Sequence, residues 1–73
     1  MSSVFVLSVV GDDCEELYVF DQFEDAKAKA EYSLGCRDLG WKTTEEDEYG
    51  QPTEIITRMT KKGFAWIANR EVL

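Results

Sequence analysis

In this 73-residue chain, the residues most able to take part in catalysis or binding are acidic and form two short runs. The first acidic run is Asp12, Asp13, Glu15 and Glu16, and the second acidic run is Glu45, Glu46, Asp47 and Glu48. Carboxylates can transfer protons, bind calcium or attract a cationic surface. The first run lacks the alternate ligands, central glycine and closing glutamate of an EF-hand loop. Calcium binding is therefore a weaker alternative than a solvated turn or a partner-binding surface.

The residue types that most catalytic sites require are missing. The chain has no histidine, which is the usual proton carrier near neutral pH and the usual base for a serine or cysteine nucleophile. Its two cysteines, Cys14 and Cys36, cannot complete a four-ligand zinc site by themselves, and its five glycines are isolated rather than grouped in a phosphate-binding loop. We therefore predict a non-enzymatic protein with no catalytic residue, no metal and no cofactor.

The charge is strongly negative and unevenly distributed. Fifteen acids against eight bases give a net charge of −7, yet residues 58–73 hold four of the bases and one acid. Such an acidic surface repels nucleic acids and anionic lipids and attracts basic proteins. The small basic end is too weak for a nucleic-acid site. We predict that the partner is a basic protein, for example one that binds nucleic acid. We expect this chain itself to contact neither nucleic acid nor membrane.

Length and composition predict one domain spanning residues 1–73. A chain this short is marginally stable alone, so dimerisation is a natural supplement, and we expect a monomer or a homodimer. The longest apolar run, residues 4–10, is far shorter than the roughly 20 residues that cross a bilayer, and no basic leader precedes it. Two cysteines outside any close-spaced framework indicate reduced thiols. These features predict a cytoplasmic protein.

The first half of the chain predicts two strands and a helix. Residues 4–10 and 17–20 are rich in β-branched and aromatic residues, and an acidic turn separates them. Asp21, with Glu24 three positions later, predicts an N-cap for a helix over residues 22–34. Gly35 suits the left-handed residue that ends a helix. The apolar face of this helix has helical spacing and consists of Phe23, Ala26, Ala30 and Leu34.

The second half predicts a short strand over residues 41–44, a loop over 45–52, and a hairpin of strands 55–60 and 64–68 around Lys61, Lys62 and Gly63. The fold class is therefore α+β, with one helix packed on a four-stranded or five-stranded antiparallel sheet in the order β-β-α-(β)-β-β. A right-handed crossover would place the third main strand beside the first, giving the order 2-1-3-4. Both acidic runs would then lie at the same end of the sheet. Trp66 alternates within its strand, so we expect it in the core rather than as an exposed interface anchor.

Residues 4–34 resemble small proteins carried by bacteriophages and other mobile elements. The resemblance rests on the strand Val4-Phe5-Val6-Leu7, the acidic turn, and the segment from Tyr18 to Ala28 that leads into an alanine-rich helix. In size, charge and lack of catalytic residues the chain is similar to acidic inhibitors of host defence, including anti-CRISPR proteins. The resemblance implies a phage-encoded protein that acts in the bacterial host cytoplasm, and it carries over no site residue.

Two functional hypotheses follow. The first is a non-enzymatic inhibitor whose two acidic runs together imitate nucleic-acid phosphates and dock on a basic host protein such as a CRISPR effector. The alternative is a small structural or assembly module that forms a homo-oligomer, for example through an exposed strand edge, with acidity that only maintains solubility and no nucleic-acid-related target.

Overall fold

One helix packs against a five-stranded antiparallel sheet in the computed structural model, which describes residues 2–72, with side chains for residues 3–71. The elements are β1 (Ser2–Val10), β2 (Glu15–Phe20), α1 (Phe23–Leu34), β3 (Lys42–Glu46), β4 (Pro52–Ile56) and β5 (Phe64–Val72). The predicted α+β class is confirmed, with the five-stranded form of the sheet.

The strands lie in the order β2-β1-β5-β4-β3, so the expected order 2-1-3-4 is wrong. The last strand, not the one before it, lies beside β1. The two nine-residue strands β1 and β5 pair at every position from Ser2 with Val72 to Val10 with Phe64. A five-residue β4 could satisfy only about half of the backbone groups of β1, and unpaired groups in the middle of a sheet are costly. The chain therefore leaves α1 for the opposite edge of the sheet, at β3.

The helix begins one residue later than predicted. Gln22, not Asp21, is the N-cap, and it makes no side-chain capping hydrogen bond, so the predicted Asp21 cap is wrong. Glu24 and Asp25 in the first turn stabilise the positive end of the helix dipole. The predicted helix end is confirmed, because Gly35 is left-handed (φ 63°) and its N–H donates to the Tyr32 carbonyl. No basic residue lies in the last helical turn.

The core lies between α1 and one face of the sheet. The helix contributes Ala26, Ala30 and Leu34, and the small alanines allow close approach to the strands. Phe5 and Phe23 close one end of this layer edge to face, with ring centroids 5.5 Å apart. The buried sheet and loop residues of the core are Leu7, Val9, Leu39, Ile55, Ala65 and Ile67.

Two boundaries in the second half differ from the prediction. Glu45 and Glu46 belong to β3 and Pro52 begins β4, so the predicted loop 45–52 shortens to residues 47–51. The predicted pairing of the last two strands is confirmed, but β4 ends at Ile56 rather than at residue 60. Thr57 still donates its N–H to the Ala65 carbonyl of β5 at 2.8 Å, and the chain diverges after it, where the Arg58 N–H donates to the Leu39 carbonyl, 2.9 Å away. The expected turn lies at residues 60–63 and is closed by two backbone hydrogen bonds between Thr60 and Gly63.

Candidate protein-binding surfaces

The helix covers one face of the sheet, and no element formed by residues 2–72 covers the other face. Side chains alternate between faces along each strand, so the neighbours of core residues point away from α1. We call this second surface the helix-free face. Register places nine apolar residues on it, namely Val4, Val6, Val10, Leu17, Val19, Ile56, Phe64, Trp66 and Ala68.

The most exposed part of the helix-free face is its β2 edge. Leu17 and Val19 are each 65% exposed, whereas Ser8 and Ala68 near the centre are buried. Trp66 is half-buried there, beside Ser8 in the register, so its predicted place in the core is wrong. The prediction failed because Ala65 and Ile67, its neighbours in β5, are the residues that point toward α1.

The helix-free face is large for a chain of this size. From β2 to β4 and from the level of Val4 to that of Val10, strand spacing and rise give it a projected area of roughly 400 Å². The accessible surface of the chain is 5235 Å², whereas size scaling gives about 4,600 Å² for a compact monomer of 8.4 kDa. The difference is consistent with an open sheet that has one uncovered face rather than with a closely rounded shape.

The helix-free face is nearly neutral although the chain is not. The charged residues at its register positions are three acids and two bases, Glu15, Glu45, Glu54, Lys42 and Arg70, with a sum of −1. The full chain carries −7. Arg70 and Glu54 also pair with each other across β5 and β4, at 2.9 Å. The net negative charge therefore lies mainly elsewhere on the molecule.

The first acidic run follows the end of β1 and enters β2. All four of its carboxylates belong to exposed residues. Glu16 accepts a hydrogen bond from the Tyr18 hydroxyl two positions later. This hydrogen bond, with smaller contributions from desolvation and from the Glu16 charge, raises the pKa of Tyr18 above its usual value. The Glu16 carboxylate is thus paired within the strand, whereas the side chains of Asp12, Asp13 and Glu15 form no hydrogen bond with residues 3–71.

The second acidic run is divided between a strand and a turn. Glu45 and Glu46 lie in β3, and all four residues are exposed. Asp47 has a structural role, because its Oδ1 accepts hydrogen bonds from the backbone N–H groups of Tyr49 and Gln51, each at 2.9 Å. Its carboxylate holds the turn between β3 and β4.

The two acidic runs lie at opposite ends and on opposite edges of the sheet, so their expected convergence is wrong. Glu15 is level with Val10, whereas Glu45 is level, through Glu54 and Ala68, with Val6. Four residues of rise and four strand spacings separate these glutamates by about 20 Å or more. That distance exceeds twice the Debye length of about 8 Å at physiological salt. The eight carboxylates therefore do not form one strip.

No carboxylate of either acidic run forms an ion pair in the part of the chain from residue 2 to residue 72, where the one ion pair is Arg70–Glu54. Within the same residues, no group of three or more histidine, cysteine or acidic side chains is arranged to hold a metal ion. Cys14 and Cys36 are not joined to each other by a disulfide.

The basic end of the chain surrounds an open cleft of about 480 Å³ between the C-terminus of α1 and residues 58–62. Two of its bases have structural roles. The Arg58 Nη2 atom donates to the Asp38 carbonyl at 2.7 Å, and the Lys62 ammonium lies beside Gly35, where a cation stabilises the negative end of the helix. Leu34, Cys36 and Met59 form the apolar part of the cleft.

Sequence reasoning missed the helix-free face, although β1 contained a signal for it. Val4, Val6 and Val10 alternate with Phe5, Leu7 and Val9, so both faces of this strand are apolar. A continuous apolar run is typical of strands that are covered on both sides. Only the location of the single helix shows which side lacks a cover.

Comparison with known proteins found no match to this chain. The chain matches no protein-family model, no curated protein and no solved structure. The class is therefore defined by the fold and its surfaces, as a one-helix, five-stranded α+β protein. Across the described residues, no helix is both long enough and apolar enough to span a membrane.

Proposed function

We propose that this chain is a small, non-enzymatic assembly module that forms a homodimer through its helix-free face. The uncovered apolar face of the sheet is the observation that carries the proposal. Eight of the nine apolar residues on this side of the 73-residue protein are exposed or half-buried, and an apolar patch of a few hundred Å² is often functional.

A second copy is the occupant that area and charge favour. Two helix-free faces packed as a sandwich, about 10 Å apart, would bury two patches of roughly 400 Å² in projection. The charged residues at the margin of each face would bury some further area. The two patches sum to about 800 Å² in projection, so the interface would be small, near the lower end of the size range of specific interfaces. Because the face sums to about −1, two copies of a −7 chain can meet there with little local repulsion. The interface is isologous, as in most homodimers.

Sedimentation tests this proposal across protein concentrations of roughly 1–100 μM at about 0.1 M and 1 M salt. We expect a monomer–dimer equilibrium that salt leaves unchanged or strengthens, because apolar contact drives it and salt screens the repulsion between copies. V19K places a charge in the face at a 65% exposed position and is expected to weaken the dimer at least about tenfold. A wild-type chain that is monomeric throughout would overturn the proposal.

Q51K is the matched control for V19K. It makes the same change in charge at an exposed position in the turn between β3 and β4, away from the helix-free face. We expect Q51K to dimerise like the wild type. Equal weakening by both variants would show that total charge, rather than the helix-free face, governs association.

The second candidate function is the acidic inhibitor of a basic protein, such as a CRISPR effector or another nucleic-acid-binding host protein. The observation that favours it is the exposure of all eight carboxylates of the acidic runs, none in an ion pair within residues 2–72. Because the runs lie on opposite edges, each would have to bind alone. A partner captured from host lysate should be eluted by salt and lost on reversal of one run to lysine. Retention by both reversed variants would exclude this mechanism.

A further inference from the structure

We propose that the free edge of β2 binds an extended segment of another protein by strand addition, and that this segment is apolar in its centre and basic at both ends. The proposal goes beyond the homodimer, because it uses the backbone edge of the sheet rather than the helix-free face. Strand addition is a common mode of peptide recognition, in which main-chain hydrogen bonds give affinity and alternate side chains give specificity.

The two edges of the sheet differ in how well they are protected. The β3 edge consists of Lys42, two threonines and two glutamates, all exposed, and its pairing with β4 has two register shifts. Charges and irregularities of this kind are how proteins prevent further strands from pairing. β2 also begins with two glutamates, but its other four residues are apolar or aromatic, it pairs with β1 in unbroken register over all six residues, and it contains no proline, glycine or lysine. The β2 edge is therefore the one open to another strand.

The outward backbone groups of β2 are available for pairing. In an antiparallel ladder, alternate residues direct their N–H and C=O groups away from the neighbouring strand. Within residues 2–72 no other strand pairs with the outer side of β2, because β1 is its sole neighbour in the sheet. Leu17 and Val19 flank this edge on the helix-free side, each 65% exposed, so an added strand with β-branched side chains would cover them.

Charge determines what kind of segment fits. The first acidic run precedes the apolar part of β2, and Asp21, Glu24 and Asp25 follow it, with no basic residue between positions 12 and 26. At the centre, the Lys29 ammonium lies 4.8 Å from the centre of the Tyr18 ring on the helix side. Cations of a bound segment are therefore attracted to the two ends of β2 and repelled from its centre.

A labelled synthetic peptide tests the proposal by fluorescence anisotropy. It alternates valine and threonine between lysine pairs, and protein is kept below the concentration at which it self-associates. We expect binding that weakens as salt rises. A copy of the peptide N-methylated at alternate residues keeps its charge and side chains but loses the N–H donors on one edge, and it should bind at least about tenfold more weakly. Equal affinity of the two peptides, or no binding of the first, would overturn the proposal.

Charge reversal supplies a matched test on the protein. D12K/D13K changes two exposed residues in the turn before β2, and should weaken binding of the lysine-ended peptide and strengthen binding of a glutamate-ended one. E46K/E48K on the opposite edge is the control and should change neither affinity. Equal effects of the two variants would contradict binding at β2. The homodimer is measured by sedimentation without peptide, so a negative result for one proposal does not affect the interpretation of the other.

Discussion

Replacing Gly63 by alanine is expected to destabilise the protein by about 3 kcal/mol or more, which lowers Tm by more than about 10 °C for a chain of this length. Gly63 has φ 127°, a conformation that residues with a side chain rarely adopt. A Cβ atom there would also lie 1.9 Å from the Val10 carbonyl oxygen and 3.0 Å from the Cα of Gly11. Both atoms belong to the backbone, so β1 and β5 would have to separate where their ladder begins.

Gly50→Ala is the matched control for this prediction. Gly50 also has a positive φ, 79°, but no atom lies within 4 Å of the place where its Cβ would be. Its cost should be limited to the left-handed backbone, about 1–2 kcal/mol. Urea unfolding followed by tryptophan fluorescence compares the two variants. Equal losses would mean that the close approach of Gly63 to β1 does not contribute to stability.

Replacing Ile67 by alanine is expected to cost about 2–5 kcal/mol, which is a large part of the roughly 4–11 kcal/mol total for 73 residues. Ile67 is 1% exposed, lies in β5 and points toward α1. In the register it stands between Leu7 of β1 and Ile55 of β4, so truncation leaves a cavity surrounded by three strands and the helix. Thermal and urea unfolding give the loss directly.

Ile56→Ala is the control on the opposite face. Ile56 pairs with Trp66 on the helix-free face and is only half-buried. At concentrations below self-association its truncation should cost about 1 kcal/mol, because part of its surface is already in water. At higher concentration the same variant should weaken the homodimer. A loss equal to that of Ile67→Ala in the monomer would show that both faces are equally covered.

The sequence predicted the elements better than their arrangement. The strands around residues 4–10, 17–20 and 64–68, the helix over residues 22–34 and its end at Gly35 all correspond to elements of the structure, within a few residues. Each depends on side-chain periodicity or on a local backbone preference, which neighbouring residues reveal. The predicted start of the helix was less accurate. Asp21 is a residue type that favours the N-cap, but Gln22 is the N-cap and forms no capping hydrogen bond with its side chain.

The acidic runs show the limit of the same reasoning. Which residues form the runs, and that they are exposed, could be predicted from the sequence. The prediction that they form one negative surface depended on the strand order. Placing the wrong hairpin strand beside β1 brought the runs together, whereas the actual order puts them on opposite edges. The helix-free face was missed for a related reason, since an apolar strand does not show which of its sides a distant helix will cover.

An acidic α+β chain without histidine, the approximate bounds of its helix and main strands, and the turn at Lys61 and Lys62 could all be predicted from the amino-acid order. Three features became known only from the folded chain: β5 lies beside β1, the helix covers one particular face of the sheet, and the acidic runs are far apart. The difference arises because the interactions involved act over different distances along the chain. Local propensities act over a few residues, whereas strand order follows from which distant strands satisfy most backbone groups and bury most apolar area when they pair.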